Sequence, residues 1–161
     1  MLADSGAQVV ACNVELRKIE RLRDTLQRLD LSEKVELICS EDARELDPER
    51  QFDAVLVDAP CSNTGVLAAR PGARWRFGPQ SMAGLSELQI NLLAVGASRT
   101  RPGGRLIWST CSLEPEENEQ RVRNFLADNA GWELEEEHAR LPGAPPAPID
   151  GGYAARLRRS G

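Results

Sequence analysis

No run of apolar residues in this sequence approaches the roughly 18–20 needed to span a bilayer. The opening "MLADSGAQVV" has neither the basic region nor the apolar region of a secretion signal. Both absences point to the cytoplasm and argue against a membrane partner. The four cysteines (Cys12, Cys39, Cys61, Cys111) contain no CxxC spacing, so neither a zinc knuckle nor a disulfide framework is suggested. Free thiols are then the default in a reducing compartment, and no metal is expected. The only histidine, His138, reads as a surface residue. Positive charge is not in excess either. A net charge of −5 does not advertise a nucleic-acid binder, so any RNA contact needs a local basic patch or another domain. No internal repeat is visible.

What is present suits one globular domain over residues 1–161, with 41% hydrophobic residues to form a core and 28% charged residues of mixed sign. "AQVVAC" has strand character, and Leu16, Ile19, Leu22, Leu26 and Leu29 then follow helical spacing. "KVELIC" reads as a strand, and "FDAVLVD" as a more fully buried one of the kind found in parallel sheets. The spacing predicts a helix over 81–98, with Leu85, Leu88, Leu92 and Val95 on one side. "PGGRLIWS" is a glycine-turned entry into another buried strand. Pro115 then suits the first position of a helix reaching about Asn129, with Glu116 and Glu117 favourable in its first turn. "WELEEE" and "GYAARLRR" read as a closing antiparallel pair around the loop "LPGAPPAP". Alternating strands and helices with short connections give an α/β fold with a mostly parallel sheet.

Cys61 and Cys111 each follow directly on a predicted central strand, where open α/β sheets bind their ligands. If those strands are neighbours, Asp58, Cys61 and Cys111 face one crevice. The polar turns around them (Pro60, Ser62, Asn63, Thr64, Gly65; Thr110, Ser112) are wrong for a core, which favours chemistry. Cys12 and Cys39, inside apolar strands, read instead as small buried hydrophobes. Arg70, Arg74 and Arg76 around Trp75 form a small basic segment that could contact phosphates, with a solvated loop as the alternative. The terminal "ARLRR" adds local positive charge or simply finishes an edge strand.

"VLVDAPCSNTGVLAARPGARW" followed by "RPGGRLIWSTCSLEPEENE" resembles the RNA cytosine-C5 methyltransferases of the Sun/Fmu (NOL1/NOP2/Sun) family, over nearly the whole chain. The resemblance implies a Rossmann-like class I methyltransferase sheet, S-adenosylmethionine as cofactor, and RNA, ribosomal in particular, as partner. It implies methylation of cytosine C5 with Cys111 as nucleophile and Cys61 assisting release, as general base or by helping to expel the first thiol. Asp58 would bond the pyrimidine N3/N4 edge and lie close to the methyl donor. The family's acid that holds the ribose hydroxyls is replaced here by Asn13, so weaker binding is expected unless Glu15 substitutes. Asp42 in "SEDAREL" matches the residue beside the adenine, with a capped turn as the bland reading.

The family's first strand and its glycine-rich "PGGKT"-like loop have no counterpart in this sequence. "RPGGR" at 101–105 precedes a different strand and is a turn. In the superfamily order 3-2-1-4-5-7-6 that strand joins the two halves of the sheet, so strands two and four are expected to face a gap or pair directly. The resulting expectation is a truncated domain with little methyl transfer on its own. A non-catalytic remnant that keeps the fold is one alternative. An α/β protein using its cysteines for redox chemistry is another, though no resolving-cysteine spacing is evident.

Overall fold

The computed structural model describes residues 2–40, 47, 49–143 and 149–161. The chain divides into two compact units, Met1–Pro48 and Glu49–Gly161. In the first, β1 (Val9–Asn13) and β2 (Val35–Cys39) pair in parallel through the crossover helix α1 (Leu16–Arg28). The apolar stripe on α1 buries Ile19 and Leu26. Leu26 packs with Ala3 and Leu31, against Val9, Val35 and Leu37 of the strands.

Cys12 and Cys39 are exposed, not buried as their apolar neighbours suggest. Cys12 has the opposite strand parity to Val9, which faces α1. Cys39 is the last residue of β2, where its Sγ lies 3.9 Å from the Val14 carbonyl. Short strands covered by one helix bury only alternate positions.

The second unit holds a four-stranded sheet in the order β3-β4-β6-β5. β3 (Phe52–Asp58) pairs in parallel with β4 (Thr100–Thr110). The antiparallel closing pair is β5 (Trp132–Arg140) and β6 (Gly152–Arg159). Among the described residues the six strands form a two-stranded sheet in the first unit and a four-stranded sheet in the second. β3 is less buried than its composition suggests, with Leu56 57% exposed. Val55 and Val57 face helix α2 (Pro79–Arg99), close to Gly96, whereas Leu56 has the other parity.

The core of this unit gathers Leu106, Trp108, Ala155 and Leu157 from the sheet with Leu93 and Val122 from the helices. On α2 the buried stripe is Gln89, Leu93, Gly96 and Arg99, with Leu88 exposed, so the helix is rotated from the face predicted on hydropathy. Helix α3 (Glu119–Asp128) starts later than Pro115. Residues 115–118 form a turn, and Asn118 (φ −112°, ψ −113°) is not helical because its side chain is held elsewhere. Its Oδ1 accepts from Thr110 Oγ1 at 2.5 Å, and its Nδ2 donates to the Ser112 carbonyl at 3.0 Å. His138 is on the surface, 2.6 Å from Glu136. No helix among the described residues is long and apolar enough to cross a membrane.

Candidate active site

The parallel pairing of β3 with β4 sets Asp58 opposite Ser109, so the chain leaves both strands side by side. The Ala59 amide continues the ladder to the Ser109 carbonyl at 2.9 Å. Cys61 lies three residues past Asp58 and Cys111 two past Ser109, with their Sγ atoms 3.3 Å apart. Cys61 is 8% exposed and Cys111 half-buried.

A dense polar lattice holds the two loops together. Ser62 Oγ and Thr64 Oγ1 lie 3.0 and 3.3 Å from Ser112 Oγ, and the Leu113 amide donates to Thr64 Oγ1 at 3.0 Å. The Gly65 amide donates to the Cys111 carbonyl at 3.0 Å, while the Gly65 carbonyl accepts from the Gly151 amide at 2.7 Å. A Cβ at Gly65 would lie 2.5 Å from the Gly151 oxygen, so only glycine lets these backbones approach.

Beneath the loop, Glu117 is 1% exposed. Its carboxyl oxygens accept from the Ser62 amide at 3.0 and 3.2 Å, from Ser62 Oγ at 2.5 Å and from Gln89 Nε2 at 2.9 Å. Gln89 Nε2 also reaches the Pro60 carbonyl at 2.9 Å, and Trp108 Nε1 donates to the Glu117 carbonyl at 2.9 Å. In the sequence Glu117 reads as a helix-terminal charge, and Gln89 carries no predicted role. The polar residue inside an otherwise apolar helix stripe was the available signal. A cavity of about 380 Å³ opens beside this clamp, lined in part by Phe77, Met82, Ser86, Gln89, Glu117 and Arg121.

Asn63 touches both cysteine loops. It adopts a left-handed conformation (φ 62°), which asparagine tolerates better than most residues. Its Nδ2 donates to the Cys61 carbonyl at 2.6 Å. Its Oδ1 accepts from Cys111 Sγ at 3.2 Å and from Arg70 Nη1 at 3.1 Å. With the Cys111 proton directed at Asn63, the Cys61 thiol is left to donate toward Cys111.

Burial pushes the Cys61 thiol up from an ordinary 9.0 to about 12, and the neighbouring Cys111 sulfur adds to that rise. At pH 8 its thiolate is therefore about a thousandfold scarcer than that of a free cysteine. Iodoacetamide at pH 8 is expected to label exposed Cys12 and Cys39 first and Cys61 last, read by peptide mass spectrometry. The unfolded thiol ionises near 9.0 while the folded one keeps its proton to about 12, so this contribution to stability is intact below pH 9 and is lost as pH rises toward 12.

The remaining predicted residues are placed as follows. Asp58 ends β3, is exposed, and has no hydrogen-bond or ion-pair partner among the described residues. Asn13 ends β1 in the other unit, where its Oδ1 accepts from the Glu15 amide at 2.9 Å. Glu15 pairs with Lys18. Asp42 lies outside the described residues.

Residues 1–144 match the family described as 16S rRNA methyltransferase RsmB/F. The chain belongs to that family. It is 39% identical to ribosomal RNA small subunit methyltransferase B of Vibrio cholerae over 146 residues, covering 88% of this chain and 31% of the relative. It is 36% identical to the protein of the same name from Vibrio vulnificus, covering 95% of this chain and 37% of the relative. The chain thus spans about a third of the length of these curated relatives. Among solved structures it resembles NSun6 from Pyrococcus horikoshii, determined with SFG, an analogue of S-adenosylmethionine. That match has 25% identity and a TM-score of 0.80, and covers 96% of this chain and 42% of the other. The RsmB/F match and this likeness bear out the class I methyltransferase fold, with its parallel core strands and antiparallel closing pair.

Proposed function

We infer that this RsmB/F domain methylates C5 of a cytosine in ribosomal RNA, through a covalent bond between Cys111 and the base. The observation that carries the reading is the 3.3 Å approach of the two sulfurs at the exit of neighbouring parallel strands. Cytosine C5 is too weak a nucleophile to take a methyl group unaided. The Cys111 thiolate forms an Sγ–C6 bond, and the C5–C6 π pair shifts to C5, which becomes enamine-like. Bound S-adenosylmethionine supplies an electrophilic methyl group on sulfur. By the family resemblance, Asn13 and Asp42 would hold its ribose and adenine, and Asp58 would serve near the methyl donor. Asp58 would also bond the N3/N4 edge of the base, its exposed side chain having no partner among the described residues.

Once C5 carries the methyl group, a base removes the C5 proton. The C6–Sγ bond then breaks and its electron pair returns to Cys111. Cys61 has two conceivable parts in that release. A thiol pushed up to about 12 is almost wholly protonated at neutral pH, so it is poorly suited to begin as a base. Its S–H, aimed at Cys111, instead stabilises the departing thiolate.

A Cys61→Ala variant tests this. With S-adenosylmethionine and 16S rRNA, the stalled protein–RNA adduct is expected to accumulate as a slow band on denaturing gels. The Cys61→Ala/Cys111→Ala double variant is expected to give none. An adduct that survives removal of Cys111 overturns the assignment, as does no adduct from Cys61→Ala protein that binds cofactor in a titration.

A further inference from the structure

The basic segment after the Cys61 loop is built in an unusual way for a surface turn. Residues Pro71–Trp75 form a 3-10 helix pinned by Ala73, which is 2% exposed, and by the Arg76 amide donating to the Ala73 carbonyl at 3.0 Å. That fixed turn presents Trp75 at 85% exposure, the most open large hydrophobic side chain among the described residues. The other two tryptophans have structural duties. Trp108 is fully buried and donates to Glu117, and Trp132 packs edge-on against Phe125 at 5.6 Å. Trp75 has none. On either side of it, Arg74 and Arg76 are exposed and without a side-chain ion pair among the described residues, in a chain of net charge −5.

The segment is also tied to the thiols. Arg70 at its start donates to the Asn63 oxygen that receives the Cys111 S–H. Phe77 at its end lines the cavity beside Gln89 and Glu117, which clamp the Cys61 loop.

We propose that Arg70–Phe77 is a seat for a single-stranded RNA nucleotide flanking the target cytosine, with the Trp75 ring stacking on its base and Arg74 and Arg76 on its phosphates. An indole face open on one side and flanked by unpaired guanidinium groups matches an unpaired base and its backbone. A base inside a duplex has no free face to offer. The seat rests on the reading of RNA as substrate. It adds which residues hold the strand beside the reacting base, and that this strand is unpaired there.

The probe is a fluorescein-labelled single-stranded RNA of about 12 nucleotides with one central cytosine, a length matched to the extent of a single-strand groove. Binding to the unsubstituted chain is expected to quench tryptophan emission. Trp75→Ala is expected to weaken binding about tenfold and remove the quench, and Trp75→Phe to restore most of the affinity. Arg74→Ala and Arg76→Ala should each lower the slope of log affinity against log salt by about 0.7. Unchanged affinity in Trp75→Ala, or a quench that persists there, overturns the seat and leaves RNA as the substrate. Equal quenching by the same sequence as a duplex overturns the single-strand requirement. Failure of the unsubstituted chain to bind the RNA at all sinks the seat and counts against the substrate reading as well.

Discussion

Replacing Glu117 with alanine is expected to destabilise the Glu49–Gly161 unit by about 3–5 kcal/mol, one of the largest single-residue effects this unit should show. The substitution strands the Ser62 amide, the Ser62 hydroxyl and Gln89 Nε2, all of which now donate to one buried carboxyl group. Unsatisfied buried donors cost about 1–3 kcal/mol each, and partial relaxation recovers some of that. All three tryptophans lie in this unit, so urea unfolding followed by tryptophan emission reports on it alone. Glu117→Gln keeps the shape and one acceptor, so its loss should be about 1–2 kcal/mol. The same alanine variant should let iodoacetamide reach Cys61 faster at a urea concentration too low to unfold the chain. A midpoint within experimental error of the unsubstituted protein would show that the Glu117 contacts are not what holds the loop.

The second large effect is chemical. Cys111→Ser is expected to lower methyl transfer to RNA by about 10⁴-fold or more, because removing a covalent nucleophile leaves only binding and positioning. RNA affinity should stay within about twofold of the parent, since the change replaces one atom of a side chain. A cofactor-independent check is available in RNA carrying 5-azacytosine. Nitrogen at ring position 5 makes C6 more electrophilic and offers no carbon to methylate, so thiol addition alone gives a stable adduct. Adduct yield on denaturing gels should fall below detection in Cys111→Ser and persist in Cys61→Ala. The reverse pattern would exchange the roles of the two cysteines.

Much of the fold was legible because its signals are repetitive. "FDAVLVD" and "GRLIWST" each exceed what a half-exposed strand needs in apolar residues, and they pair in parallel. "WELEEE" and "GYAARLRR" alternate with the period of a two-sided strand and close the sheet antiparallel. The pairing of Cys61 with Cys111 follows from their places just past the ends of two neighbouring parallel strands. The supports of that pair were not legible, for a physical reason. Gln89 and Glu117 are polar residues buried by their partners rather than by their own hydrophobicity, and those partners are 28 residues apart or more. A hydropathy pattern ranks such residues as surface, which is why the α2 face was misjudged and α3 was begun too early. Cys12 and Cys39 failed in the opposite sense, since apolar neighbours along a strand say nothing about which face a helix covers.

The hydroxyl groups of Ser62, Thr64 and Ser112 have an outcome that reaches past the chemistry of either sulfur. They join two segments that lie about fifty positions apart in the chain, so neither turn can be reshaped while the other stays put. Any heritable change that moved one thiol would drag its companion along. Adaptation to a new RNA would therefore have to work at the periphery, where side chains vary without disturbing that shared mesh.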